Sequence, residues 1–382
     1  MRRIHERWGG GWEALLALCL ACAAPAHAAG QPDGYPPVYE HWESLYAEDG
    51  LPDDHVFWVE ADPVREGRIW LGTEGGLACY HTGDGSVEVY SPAEGLGHRA
   101  VMSVAVDPVS GDVWAATFGG LSRVSGGKVI QTFTQMNSGL ANDVVFSVVV
   151  AGEDVWAATT AGTSRYDTKT GAWEIYTSLN MPAEENWCYN LSAGGGKVFI
   201  AAWGGGIIEY DIERDHFRDY LDPDGEFEIE LFPNDGLVHN ITTSPSFEEG
   251  LLWATTYFGL SVYDFRRWES FFDHDSGLAS NFINFGRGEP GTRRGWICTD
   301  KGLSVLDYDS RKWVTYKLDP DRPGGGIVER WDGGRKVDAR KTNGGLAHRF
   351  VLSIDFAGGD VWVGTSHGLS HGLRTAPSGR AR

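Results

Sequence analysis

The sequence predicts an all-β fold, a seven-bladed β-propeller with four antiparallel strands per blade. Three observations lead to it: a motif of an aromatic residue, Gly or Ala, Thr and Gly recurs along the chain, a Gly-Leu pair precedes most copies, and an aromatic-rich segment follows several of them. The seven copies begin at Trp70, Trp114, Trp156, Phe199, Trp253, Trp296 and Trp362, and four of the six spacings are 42 to 44 residues. A repeat of this length built from short strands is typical of propeller blades.

Each repeat supplies its four strands in the same order. The inner strand follows the Gly-Leu pair, as in DGLPDDHVFWVEAD, and the second strand begins at the aromatic residue of the motif. The third strand follows the motif glycine, and the outer strand is rich in aromatic residues, as in RWESFFDHD. Gly pairs and Asp-x-x-x-Gly segments between the strands are turn sequences. The strict recurrence of Trp at one strand position indicates packing between adjacent blades.

The two ends of the repeat region predict how the ring closes. The seventh repeat stops near Gly372 without an outer strand, whereas HWESLYAEDG, from His41, resembles an outer strand and has no blade before it. We therefore expect this first strand to complete the last blade, which removes the open sheet edges. Two inserts, LDPDGEFEIELFPN before blade five and RPGGGIVERWDGGRKVDARKTNGG before blade seven, are expected to be loops.

The N-terminus has the features of a secretory signal. Three arginines precede a short apolar run, and Ala26-His27-Ala28 fits the small-x-small cleavage pattern. The run is too short to span a bilayer. The alternative is a lipoprotein signal modified at Cys22, although the residues before Cys22 fit that motif poorly. The predicted organisation is a signal peptide (1–28), an N-terminal extension (29–40), the propeller (41–372) and a C-terminal tail (373–382), without a transmembrane helix in the mature, periplasmic or secreted chain.

Composition excludes several classes of protein. A net charge of −21 argues against a nucleic-acid partner, because such a surface must attract phosphate. The 42% hydrophobic and 12% aromatic content argues against disorder. Outside the signal there are three cysteines, Cys79, Cys188 and Cys298, and an odd number cannot be fully paired. Because each lies in a strand-like run, we expect buried free thiols. We expect a monomer.

Two half-motifs together resemble a known repeat family. The pattern is best seen in residues 49–77, where Asp-Gly-Leu-Pro-x-x-x-Val is followed by Trp-x-Gly-Thr-x-x-Gly-Leu. It is similar to the two-component regulator propeller repeats, and the resemblance covers almost all of residues 41–372. It implies a propeller of the kind found in periplasmic sensors of membrane histidine kinases, which often sense oligosaccharides. Such receptors resemble two propellers with further modules, whereas this sequence supplies one ring. The resemblance carries over no catalytic residue.

One face of the predicted ring collects the candidate binding residues. The loops entering the inner strands and the turns between second and third strands share this face, around the central channel. The candidates are His55, His98, Arg99, Trp203, His239, Tyr257, His348, Arg349 and His367. Blades one, two and seven are neighbours in a closed ring, so most of the His and Arg residues are expected in one sector, opposite Trp203, Tyr257 and His239. The competing interpretation is that these polar loop residues cap backbone groups.

These residues favour an exported, non-enzymatic module that binds a protein partner or a small anionic or carbohydrate ligand and that senses it together with a separate membrane protein. Arginine binds carboxylates in a bidentate manner, and Trp and Tyr present flat faces to sugars. The alternative is a lyase- or hydrolase-like propeller enzyme with a His/acid site and a divalent metal. The sequence predicts no catalytic residue, metal-ligand set or cofactor, because nucleophile, phosphate-loop and HExxH motifs are absent. Histidines from different blades could hold a divalent ion only in a narrow channel.

Overall fold

The seven repeats fold into seven antiparallel sheets in a computed structural model that describes residues 34–225 and 234–374. The predicted propeller is therefore confirmed. The signal peptide, Cys22 and most of the C-terminal tail lie outside the described residues, as does most of the acidic insert before blade five. In the described part of the chain, no helix is long and apolar enough to cross a membrane.

The strands are numbered β1 to β30 in chain order. Blades one to three comprise β2 (Val56–Ala61), β3 (Arg68–Thr73), β4 (Leu77–His81) and β5 (Val87–Tyr90); β6 (Val101–Val106), β7 (Val113–Thr117), β8 (Gly120–Ser125) and β9 (Lys128–Phe133); and β10 (Val145–Ala151), β11 (Asp154–Thr159), β12 (Gly162–Asp167) and β13 (Trp173–Tyr176). Blades four and five comprise β14 (Cys188–Gly194), β15 (Lys197–Ala202), β16 (Gly206–Asp211) and β17 (His216–Tyr220); and β18 (Thr242–Glu248), β19 (Leu251–Thr256), β20 (Leu260–Tyr263) and β21 (Trp268–Phe271). Blade six comprises β22 (Ile283–Gly288), β23 (Arg294–Thr299), β24 (Gly302–Asp307), β25 (Lys312–Leu318), β26 (Gly326–Asp332) and β27 (Arg335–Thr342). Blade seven comprises β28 (Val351–Ala357), β29 (Asp360–Thr365), β30 (Gly368–Leu373) and β1 (His41–Leu45).

The first strand closes the ring, as the sequence predicts. Strand β1 pairs antiparallel with β30, with His41 opposite Leu373 and Leu45 opposite Leu369. The inner strands contact one another in a closed circle, in which β2 lies beside both β6 and β28. Every blade therefore has a neighbour on both sides, and blade one lies between blades two and seven.

The insert before blade seven is not a loop, which corrects the sequence prediction. It forms the hairpin β26–β27, which extends blade six to six strands. The hairpin turns at Asp332-Gly333-Gly334, where Gly333 has a φ of 55° that favours glycine. Across the added strands the Glu329 carboxylate accepts hydrogen bonds from Lys317 and Lys336. The high Gly, Lys and Arg content suggested a loop, but the residues on either side of the turn pair antiparallel, with Gly326 opposite Thr342 and Asp332 opposite Arg335.

The repeated Trp residues form the contacts between blades. Each of the six is at most 2% exposed. Trp156, for example, stacks on Tyr176 of its own blade at 5.3 Å and packs against Tyr210 of the next blade at 5.1 Å. The three cysteines in the described residues are buried free thiols, and burial raises their pKa.

Candidate functional site

The repeated Thr residues shape the turns that face the channel. In six blades the Thr hydroxyl donates to the carbonyl of the Gly three residues later, as Thr256 does to Gly259 at 2.9 Å. The same oxygen accepts a backbone N–H within the turn, as from Phe258 at 3.0 Å. These two hydrogen bonds of the Thr hydroxyl fix the turn between the second and third strands. The residue after each Thr is thereby held on the face at which the loops enter the inner strands.

A bulge at the start of every inner strand turns one further side chain towards the channel. In all seven inner strands the register shifts between the first and third residues, so the second has no directly opposed partner. Six of these second residues line a cavity of about 80 Å³ at the channel mouth: Phe57, Met102, Phe146, Tyr189, Asn284 and Leu352. Sequence reasoning missed them, because a bulge interrupts the alternation by which buried and exposed strand residues are told apart.

Aromatic side chains form a continuous series around this face, which we call the aromatic arc. Its members, joined by ring contacts of 4.3 to 6.4 Å, are Phe118, Phe146, Trp187, Tyr189, Trp203, Tyr257, Phe282 and Phe350. Trp187 and Tyr189 each contact both Phe146 and Trp203, and so bridge them side by side. Phe118, Trp187 and Phe282 are each 40% exposed. The arc therefore presents flat apolar surface to solvent over blades two to seven.

Trp203 and Tyr257 are at the middle of the arc, and they contact each other at 5.7 Å, as their predicted shared sector requires. The Trp203 amide donates to the carbonyl of Trp187, which joins the turn of blade four to its entering loop. Tyr257 stacks on Phe282 at 4.3 Å, and burial raises the pKa of its hydroxyl. His239 does not join them: it is 3% exposed and packs against Phe258 at 4.1 Å.

The three histidines at one loop position have a structural role in common. Nδ1 of His98, His239 and His348 accepts the backbone N–H two residues later, at 3.0, 2.9 and 3.1 Å. Asp53 and Asn142 make the same contact through a side-chain oxygen in their own blades. The geometry therefore supports the competing interpretation of these histidines as caps. It also places the proton of each neutral ring on Nε2.

In five of the seven blades the next loop position bonds the blade to the one before it. A side-chain oxygen there accepts a backbone N–H from the segment that follows the preceding outer strand, over 2.6 to 2.8 Å. The acceptors are Asp54, Asp143, Asn186, Asn240 and Asn281, and the donors are Ala47, Gln135, Ser178, Asp222 and Asp273. In blades two and seven this position holds Arg99 and Arg349, which have no acceptor atom.

The predicted His/Arg sector does assemble around blade one. Arg99 pairs with Glu74 at 3.2 Å, and Nδ1 of His55 lies 3.8 Å from the same carboxylate. On the other side, Nδ1 of His367 lies 3.6 Å from Asp54, and its ring centroid is 6.5 Å from that of His348. Burial lowers the pKa of His55, and burial together with His367 and Arg349 lowers that of His348.

The geometry of the channel face supports neither a catalytic histidine nor a metal site among the described residues. The Ser366 hydroxyl lies 2.7 Å from Nδ1 of His348, but this nitrogen also accepts the Phe350 N–H, so the imidazole is placed as a cap. Among residues 34–225 and 234–374, no three His, Cys, Asp or Glu side chains could together hold a metal ion.

The opposite end of the channel contains charges that sequence reasoning did not single out. A cavity of about 230 Å³, lined by apolar residues of the inner strands that include five valines, also contains Glu60, Glu248 and Arg287. Arg287 lies 3.3 Å from Glu60 and 3.3 Å from the buried Asp355, which belong to blades one and seven. Burial is the largest influence on Glu60 and raises its pKa to about 7. The available signal was a charged residue inside an apolar inner strand, as in VFWVEAD.

No protein-family model and no curated protein matches the chain, whereas many solved structures do. The extracellular domain of the putative hybrid two-component system BT3049 from B. thetaiotaomicron is 18% identical, with a TM-score of 0.62 over 89% of this chain and 42% of that one. The corresponding domain of BT4673 from the same organism is 16% identical, with a TM-score of 0.63 over 88% of this chain and 40% of that one. The chain thus spans about two fifths of these domains.

Virginiamycin B lyase from Staphylococcus aureus, an enzyme, is also similar: it is 12% identical with a TM-score of 0.55, over 87% of this chain and 98% of that one. At these identities the likeness shows the fold. It agrees with the resemblance to two-component propellers at the level of the fold, while function depends on the site.

Proposed function

We propose that the protein is an exported carbohydrate-binding propeller and that the aromatic arc is its binding surface. The observation that carries this proposal is the unbroken series of ring contacts from Phe118 to Phe350, with three members 40% exposed on one face. Apolar ring faces in a row suit the apolar faces of successive sugar rings. A folded protein seldom leaves so much aromatic surface at a channel mouth unless it is used.

The same proposal includes a role as a sensor with a separate membrane partner. Its support is that the two B. thetaiotaomicron structures are extracellular domains of putative two-component systems. The predicted signal peptide supports a periplasmic or secreted location, in which such a partner would be accessible.

The test uses the mature protein and two variants of equally exposed apolar residues. Trp187→Ala removes an arc member that is 40% exposed, and Ile175→Ala removes a side chain of equal exposure from outer strand β13. Oligosaccharides of four to eight units from cellulose, xylan, mannan and pectin are screened by melting-temperature shift and then titrated by calorimetry.

We expect at least one oligosaccharide to raise the melting temperature of the parent protein. Trp187→Ala should weaken its binding about tenfold, which corresponds to ~1.4 kcal/mol, and Ile175→Ala should not. If no oligosaccharide binds, or if both variants bind as the parent does, the arc is not a carbohydrate surface.

A further inference from the structure

The two arginines of the channel face occupy positions that the architecture leaves free. In five blades an Asp or Asn at this position accepts an N–H from the segment after the preceding outer strand. Before blade two the equivalent residue is Pro92, which has no N–H to donate. Before blade seven the equivalent residue is Leu318, which pairs with Gly326 in the added hairpin. Neither arginine therefore takes the place of an acceptor that the fold requires. The fold does not constrain the residue type at these two positions, so a ligand-binding role can determine it.

The two arginines differ in what surrounds them. Arg99 is paired with Glu74, so its charge is compensated. Arg349 is exposed, and among the described residues no hydrogen bond or ion pair engages its guanidinium. The protein has a net charge of −21, so an uncompensated positive charge on the channel face is opposite in sign to the protein as a whole. An exposed fork of N–H donors matches an anionic oxygen pair in geometry and charge.

Further donors lie next to Arg349. His348 has its Nδ1 occupied by Ser366 and by the Phe350 N–H, so its Nε2 carries a proton that it can donate. His367 lies beside it, with a ring centroid distance of 6.5 Å. In the part of the chain that the structure describes, the carboxylate paired with this group is that of Asp54, 3.6 Å from His367. Phe350 follows Arg349 directly and is the last member of the aromatic arc, so this cluster adjoins the proposed sugar surface.

We propose that Arg349, His348 and His367 form an anion-recognition site that selects a carboxylate- or sulfate-bearing sugar at the blade-seven end of the arc. This inference rests on the carbohydrate-binding function proposed above. It adds the class of ligand: an acidic oligosaccharide whose uncharged rings stack on the arc while one acidic group contacts the Arg349 guanidinium.

The experiment compares matched acidic and neutral probes on the mature protein. Oligogalacturonides are compared with their methyl esters, and chondroitin sulfate oligosaccharides with desulfated ones, by calorimetry at constant ionic strength. The variants are Arg349→Gln and Arg349→Lys, and the matched control is Arg335→Gln, which removes an exposed arginine from β27. Because Arg349 is exposed and unpaired in the described structure, Arg349→Gln should leave the melting temperature unchanged.

We expect the parent protein to bind one acidic probe at least tenfold more tightly than its neutral counterpart. Arg349→Gln should reduce that ratio to about threefold or less, Arg349→Lys should retain part of it, and Arg335→Gln should leave it intact. The pair that shows the preference distinguishes a carboxylate from a sulfate. If acidic and neutral probes bind equally, or if Arg335→Gln removes the preference as fully, the anion site is refuted while the carbohydrate function stands. If no probe of either pair binds, the anion site is refuted, and the wider oligosaccharide screen described above decides the carbohydrate function separately.

Discussion

Removing the Arg287 charge should destabilise the ring in a pH-dependent way. The guanidinium lies between Glu60 and Asp355, 3.3 Å from each, and so joins inner strands of blades six, one and seven. Arg287→Met keeps much of the side-chain volume and leaves two carboxylates facing each other. Both are shielded from water: the side chains of Glu60 and Asp355 are 18% and 7% exposed.

The size of the loss in unfolding free energy depends on whether Glu60 is ionised. Removing one partner of a buried ion pair costs about 3–5 kcal/mol, because the remaining charge is left uncompensated. We expect that loss at pH 8, where Glu60, with a pKa of about 7, is largely ionised. At pH 5 Glu60 is largely protonated, and Asp355 still accepts N–H groups of Ala61 and Phe356, so the loss should be about half as large.

The sign of the pH dependence in the parent protein is set by the same carboxyl. Its pKa in the folded state lies above the ordinary value of 4.5, so the folded state binds the proton more tightly than the unfolded state. The stability that this proton contributes is complete below about pH 4.5 and is lost as the pH rises through about 7. Glu60→Gln should flatten that part of the stability profile.

Urea unfolding followed by Trp fluorescence at pH 5 and pH 8 measures these losses. The matched control is Arg214→Met, whose side chain is 76% exposed and pairs with Asp211 at 3.0 Å; it should cost less than about 1 kcal/mol at both pH values. Glu60→Gln added to Arg287→Met should recover part of the loss at pH 8. A loss that is equal at both pH values, or no larger than that of the control, would refute the argument.

Two further predictions concern the ring itself. Gly295→Ala should cost about 1–3 kcal/mol of unfolding free energy, because the added Cβ would lie 2.4 Å from the Trp253 ring of the neighbouring blade, whereas Gly83→Ala, with nothing within 4 Å, should be neutral; equal stabilities in urea would contradict this. Deleting residues 38–49 removes β1 and opens the sheet of blade seven, so we expect a lower melting temperature and association through the exposed edge of β30. A monomeric deletion variant with the parent's melting temperature, measured by scanning calorimetry and light scattering, would show that closure does not stabilise the ring.

Much of the fold could be predicted because its determinants are local and repeated. The Thr that bonds to the Gly three residues later, and the Trp that begins each second strand, recur because every blade needs the same turn and the same packing. The unmatched outer strand at His41 identified the closing contact. The hairpin of blade six was missed because its glycines and charged residues are also typical of a loop, and because β27 is exposed along almost its whole length, so no alternation of buried and exposed residues marks it as a strand.

The candidate site was predictable only in part. Loop position in the repeat placed the His and Arg residues on one face, but it did not show that His98, His239 and His348 bond to their own loops. Nor did it show that His239 is buried, whereas Arg349 is exposed and unpaired in the described structure. A side chain of the same type at the same repeat position meets different neighbours in different blades.

The sequence by itself determined the number of blades, the order of strands and the closure of the ring, since each depends on short-range patterns that repeat. Only the tertiary structure decided which residues meet in the channel. The aromatic arc extends from Phe118 to Phe350, and the Glu60–Arg287–Asp355 cluster joins three blades. Glu60 and Arg287 are 227 positions apart in the chain, and such contacts form because the closed ring brings every inner strand to one axis.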